Sequence, residues 1–233
     1  MTIMAATKWP TNAHMIADVA RLGYLNEGVI TLDATYGRGT WWKKFRPTIL
    51  IANGTLPEHN PDLTADFRQM PFRDGAFSQI IYDPPYVVKG GRRTSTMVDH
   101  QDRYGMTDAP TNPLDGQQLV NDGLAECARV LEANGVLLVK AQDYVSSGRV
   151  HWGVDETTIF SRALGLRKVD QFLFLNNGSA QDKARTKRCG SCAADGCIVC
   201  GGAGSVPVAQ QHARRNVSVL MVFQHDRARP LIR

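Results

Sequence analysis

Three groups of residues in this chain combine types and spacings that can do chemistry. Asp83-Pro84-Pro85-Tyr86 stops the apolar run Ile80-Ile81-Tyr82 with a carboxylate, two prolines and an aromatic ring. Asp33-Ala34-Thr35-Tyr36-Gly37-Arg38-Gly39 sets an acidic residue before a glycine turn. Cys189, Cys192, Cys197 and Cys200, four of the five cysteines, fall within twelve residues as C-x2-C-x4-C-x2-C.

An amino group conjugated to an aromatic ring is a poor nucleophile, because its lone pair is delocalised. A carboxylate and a neighbouring backbone carbonyl, here Asp83 and Pro84, can each accept one of its N–H bonds and localise that pair. Two prolines preset φ, so fixing such a corner costs little chain entropy. Tyr86 offers a face on which a flat ring can stack. A glycine turn after a strand lets backbone approach a ligand where a side chain would obstruct it. Each pattern also has a plain structural use, since Gly-x-Gly serves ordinary strand-to-helix turns and Pro-Pro ends strands. Their placement favours the chemical reading. Asp33, Asp66 and Asp83 each end an expected strand, and ligands of open parallel sheets bind outside the carboxyl ends of the strands.

Paired Cys-x-x-Cys turns let four thiolates surround one tetrahedral Zn ion, a structural role because no ligand position stays open. Disulfides or a metal-free redox role are the alternatives, and a cytosolic setting disfavours disulfides. Cys127 shares a helix face with Leu124 and Leu131 and is expected in the core. The six histidines, His14, His59, His100, His151, His212 and His225, show no metal spacing and are expected in surface or packing roles.

The elements that must position these residues alternate between apolar strands and amphipathic segments. Helices are expected at 12–25, 115–131 and 154–166; strands at 28–33, 48–53, near 62–67, 77–83 and 135–143; and a closing antiparallel pair at 167–176 and 216–224. That order reads as an α/β domain with a mostly parallel sheet. About forty residues rich in Gly, Ala, Lys and Cys separate the last two strands. A structureless loop of that length is uncommon in a compact domain, so 177–215 is expected to be a zinc-binding insertion within one domain, 1–233. Residues 87–114 are expected to form a mobile loop over one face. The chain has 233 residues, 43% of them hydrophobic and 21% charged, which allows a sizeable core. No stretch approaches the roughly 18 apolar residues of a membrane span, and the first residues lack a signal peptide's apolar core. A cytoplasmic protein with no membrane role is expected. The net charge of +5 gathers in "KGGRR", "KARTKR" and "HARR". Such clusters can track a phosphate backbone and can equally be solvated surface. Arg92, Arg93, Lys183, Arg185, Lys187 and Arg188 are the candidate nucleic-acid contacts.

With the glycine turn preceding Asp-Pro-Pro-Tyr, residues 8–176 and 216–224 resemble class I S-adenosylmethionine-dependent methyltransferases that act on exocyclic amines of nucleobases. The Asp-Pro-Pro-Tyr element is the specific part of that likeness. The stretch "CIVCGGAG" resembles the Cys-x-x-Cys-x-Gly-x-Gly element of DnaJ-type zinc domains. The first resemblance implies a Rossmann-like fold whose mostly parallel, seven-stranded sheet carries an antiparallel last strand. It implies that Asp33, Ala34, Tyr36, Gly37 and Gly39 embrace the methionine part of S-adenosyl-L-methionine, and that Asp66 and Phe67 sit by its adenine. An acidic residue usually meets the ribose after the second strand; here Asn53 comes first and Glu58 later. Asp83, also beside the cofactor, would act with Pro84, Pro85 and Tyr86 on the target base, which must be single-stranded or flipped out. Adenine in DNA is the favoured target. An RNA methyltransferase acting on adenine or guanine, a DNA cytosine-amine methyltransferase and an inactive nucleic-acid-binding module are the alternatives.

Overall fold

The structure, a computed structural model, describes residues 9–86, 110, 112–146, 148–175, 186–192, 194–207, 212 and 216–226. Arg92, Arg93, Lys183, Arg185 and most of the expected loop 87–114 lie outside the described residues.

Helix α1 (Asn12–Arg21) starts one residue after its cap: Thr11 is extended, and its hydroxyl accepts the His14 N–H at 3.4 Å. Met15, Ile16 and Val19 form its buried stripe. Strands β1 (Thr31–Asp33), β2 (Leu50–Ala52) and β3 (Phe77–Tyr82) follow. Helix α2 (Pro113–Val130) begins two residues before the expected start, because Asn112 caps it and Pro113 supplies the preset first φ. Strand β4 (Leu131–Gln142) leads to a short hairpin, β5 (Tyr144–Ser146) and β6 (Arg149–His151), then to α3 (Gly153–Ala163) and β7 (Leu166–Leu175). A two-stranded ribbon, β8 (Thr186–Arg188) with β9 (Ser205–Pro207), precedes β10 (Val217–His225) in the chain.

The main sheet runs β2-β1-β3-β4-β10-β7. The pairs β1–β2, β1–β3 and β3–β4 are parallel, whereas β10 is antiparallel to both β4 and β7. The main sheet therefore has six strands among the described residues. At the place of the seventh, near 62–67, a single parallel bridge joins Asn53 to Leu63. Side chains take up the backbone groups a longer ladder would use: Asp62 Oδ2 accepts the Ala52 N–H at 2.8 Å, and the Asn53 amide binds both the N–H and the carbonyl of Ala65 at 3.1 Å.

Both faces of the sheet are covered, which explains the near-continuous apolar runs in β3, β4 and β10. Ile80, Leu137 and Val139 point to the layer completed by Leu119, Leu124 and Cys127 of α2. Ile81, Leu138 and Leu220 point to the opposite layer, completed by α1 and by Trp9, Trp41 and Trp42. Cys127 is fully buried in the core, as its helix position suggests. Among the described residues, no helix is long and apolar enough to cross a membrane.

Candidate functional site

The neighbouring parallel strands β1 and β3 deliver Asp33 and Asp83 to the same end of the sheet. Asp33 pairs in register with Ile81, and the turn after β1 is stitched to the end of β3 by two bonds. The Ala34 N–H donates to the Ile81 carbonyl at 2.9 Å, and the Asp83 N–H donates to Thr35 Oγ1 at 2.7 Å. Gly37 and Gly39 take φ of 52° and 62°, the left-handed region where a Cβ is disfavoured. A Cβ at Gly39 would also run into the Tyr36 ring. Gly39 leads into the one-turn 3-10 helix Thr40–Lys43, which carries Trp41 and Trp42.

Between these parts lies a crevice of ≈ 290 Å³ whose walls include Asp33, Tyr36, Gly37, Trp41, His59 and Asp83. A narrower slot adjoins it and shares Thr35, Gly37 and His59. Ala34, Leu56, Ala65 and Phe67 make that slot largely apolar, suited to a flat ring.

Asp33 is buried, accepting the Trp42 indole N–H at 2.7 Å and the Thr35 N–H at 3.1 Å. Burial lifts its carboxyl to about 7, the two hydrogen bonds oppose that rise, and the nearby Asp83 charge adds to it. Burial also lifts the Asp83 carboxyl above its ordinary value, and the Lys140 ammonium opposes it.

The other residues singled out in the sequence fall into distinct places. Pro84 and Pro85 are buried, and Tyr86 is half-buried against the α2 side of the core. The Pro84 carbonyl accepts the Tyr86 N–H at 2.8 Å, leaving one lone pair for another donor. Of these four residues, Asp83 lines the crevice. Ala34, Tyr36, Gly37, Asn53 and Phe67 line the crevice or the slot; Gly39 instead sets the direction of Trp41. The Asn53 side chain is occupied by the backbone of Ala34 and Ala65. Glu58 is exposed and lines neither hollow. The Asp66 carboxylate is clamped by Arg68 Nη2 at 2.6 Å and Nε at 2.9 Å, which holds it below the usual carboxylate range.

Trp41, His59 and Lys140 lie outside the sequence motifs, and Thr35, inside the glycine-turn stretch, was given no role there. His59 stands where the two hollows meet, brought there by a 3-10 turn that Pro57 begins and left-handed Asn60 ends. The Pro57-Glu58-His59-Asn60 string was its one local signal.

The cysteines form a separate cluster on the β8–β9 ribbon. All four sulfurs lie within 4.8 Å of one another. Cys189–Cys197, Cys192–Cys200 and Cys197–Cys200 are separated by 3.8, 3.7 and 3.9 Å. Four Zn–S bonds of about 2.3 Å require tetrahedral edges of about 3.8 Å, so the donor set fits one such ion. The N–H groups of Cys197 and Gly204 donate to Cys200 Sγ at 3.2 Å each and help bring that thiol down to about 6. Lys187 and Arg188 are exposed on the same ribbon.

No protein-family model matches the chain, and no curated protein matches it. Solved structures do. A candidate methyltransferase from Bacillus halodurans aligns at 14% identity and a TM-score of 0.51, over 91% of this chain and 98% of its own. The 4+2 cyclase SpnF aligns at 14% identity and a TM-score of 0.52, over 91% and 81%. A candidate DNA modification methylase from Thermus thermophilus aligns at 12% identity and a TM-score of 0.40, over 72% of this chain, which spans about half (54%) of that protein. Identities this low speak to architecture, and the first two neighbours show one architecture beside two different chemistries. With its mostly parallel sheet, antiparallel β10 and four-cysteine cluster, this chain has a mixed α/β, Rossmann-like methyltransferase fold.

Proposed function

We propose that the protein transfers a methyl group from S-adenosyl-L-methionine to the exocyclic amine of a nucleobase, adenine in DNA, presented single-stranded or flipped from the helix. The observation that carries this reading is the meeting of Asp33, the glycine turn and Asp83 in one crevice beside an apolar slot. When bound, the cofactor supplies a methyl group made electrophilic by its sulfonium. Ionised Asp33 attracts the cofactor's ammonium. Leu56, Ala65 and Phe67 would hold its ring, and His59 lies where the two hollows meet. Asp83 accepts one N–H of the target amine, and the second lone pair of the Pro84 carbonyl is assigned to the other. On methylation the amine would carry positive charge, which the Asp83 carboxylate would offset until the proton leaves. Positioning and fixed charge thus do most of what is required.

Residues 1–233 are read as one methyltransferase domain, with 177–215 a zinc-binding insertion in it. Lys187 and Arg188, together with Arg92, Arg93, Lys183 and Arg185, are assigned to the phosphate backbone. Labelled methyl transfer to double-stranded DNA, single-stranded DNA and RNA, followed by nucleoside analysis, tests the activity. Methyl label on the adenine amine of DNA is expected. Label in RNA or on cytosine selects another target, and no label in any nucleic acid overturns the reading.

Purified protein is expected to hold about one Zn per chain, as four thiolates satisfy one tetrahedral ion. Few apolar residues support the ribbon, so chelation should speed amide exchange across 186–207 while β3, β4 and β10 stay protected. Metal-free protein equally protected across that ribbon would remove the zinc assignment.

A further inference from the structure

Lys140 lies on β4 with only 5% of its surface exposed. In the parallel register of β3 and β4, Tyr82 pairs with Val139, so the next residue on each side brings Asp83 next to Lys140. Lys140 Nζ stands 3.8 Å from Asp83 Oδ2, and 5.2 Å and 5.8 Å from the ring centres of Trp41 and Phe174. Val136 and Leu138, the preceding residues on this face of β4, belong to the core layer completed by α1. The strand pattern therefore asks for an aliphatic residue at 140, where the chain places an ammonium. Burying a charge is costly unless it is compensated, so packing alone gives no reason for it.

Resting on the reading of Asp83 given above, we propose that Lys140 is a positioning residue: its charge keeps Asp83 ionised and holds Oδ2, leaving Oδ1 to accept the target amine. At 3.8 Å the pair is an ion pair longer than a direct hydrogen bond, so the carboxylate keeps its acceptor capacity. Several titratable or charged groups surround Asp83. Asp33 faces it from the end of β1, Tyr86 follows it in the chain, and Arg38 and His59 share the crevice walls. Burial favours a protonated Asp83, which would donate a hydrogen bond where acceptance is needed. The Lys140 ammonium opposes it.

Lys140→Met fills the same space without charge, Lys140→Gln is a second neutral variant, and Lys140→Arg retains the charge. Two readouts separate this inference from the transferase reading. One is the pH profile of single-turnover methyl transfer to DNA. The other is a carbon-13 titration of the Asp83 carboxyl in protein without nucleic acid. The neutral variants should move the acid limb upward by roughly one to three pH units, the usual effect of an opposite charge at this range. The carboxyl titration should move with it, and Lys140→Arg should return both toward wild type. If wild type methylates nothing, the transferase reading fails while the carboxyl titration still decides the Lys140–Asp83 coupling. Folded neutral variants whose Asp83 titrates as in wild type would overturn the inference. So would neutral variants that fail to fold while Lys140→Arg folds, because the charge would then serve the fold.

Discussion

Replacing Asp83 by alanine is expected to lower single-turnover methyl transfer by about 10²–10³-fold, the scale for losing one preorganised hydrogen-bond partner of a transition state. Little else should change. The Asp83 backbone N–H remains bound to Thr35 Oγ1, so the corner keeps its place. The loss also removes a negative neighbour that raises the Asp33 carboxyl. Cofactor affinity near neutral pH should therefore hold or tighten slightly while turnover collapses. Asp83→Asn sharpens the test: it keeps the shape but points an N–H₂ donor toward an amine that is itself a donor. Rapid-quench kinetics and calorimetry on the same preparations separate the two effects. Near-normal turnover in either variant would remove Asp83 from the chemistry.

The second large effect is a pH dependence of cofactor binding. With the Asp33 carboxyl lifted to about 7, the free protein holds this group protonated over much of the acidic range. The ionised form is the one that attracts an ammonium, so binding releases a proton whenever Asp33 begins protonated. Affinity should be level above about pH 7 and fall about tenfold per unit below it, since one pH unit corresponds to 1.36 kcal/mol. Between pH 7 and pH 5 the loss is about fiftyfold, because half of Asp33 is already protonated at pH 7. The linkage with folding has a definite sign: a carboxyl raised from 3.8 to about 7 binds its proton more tightly when folded, so its contribution to stability declines as pH rises through that window. Cofactor should offset this at neutral pH. Asp33→Asn should bind more weakly at pH 8 and show a flat profile. Calorimetry in buffers of different ionisation heat counts the released proton, and wild-type affinity unchanged from pH 5 to pH 8 would refute the assignment.

The sequence showed where strands end more clearly than it showed what the residues there touch. Asp33 and Asp83 were legible because each stops an apolar run, and adjacent parallel strands must then bring their ends together. The cysteine cluster was legible because its spacing is local. Lys140 was hidden inside the run Val136–Gln142, whose apolar neighbours announce a buried strand and give no hint of a charge stacked between Trp41 and Phe174. Its partner is fixed by strand register, a long-range property that periodicity does not report. Tyr86 shows a converse limit. Residue type suggested an open stacking face, but the turn closed by its N–H folds the ring against the core. The hairpin β5–β6 was missed, although Val145 and Val150 pair across a turn that contains Gly148. The strand near 62–67 was overstated, because Asp62 and Asn53 offered the backbone side-chain partners in place of a ladder.

Among the described residues β10 is the last strand of the sheet in chain order, yet it lies between β4 and β7. During synthesis those two strands emerge with a gap between them, and each shows an unpaired edge able to recruit a strand from another chain. A ribosome adding about 5–20 residues per second needs on the order of seconds to cross the stretch from β7 to β10. The four cysteines leave the ribosome inside that interval. A metal captured then would shorten the tether that must fold back on itself, and hand β10 to its slot sooner. Zinc supply would accordingly govern how many nascent chains finish the sheet before their open edges meet one another.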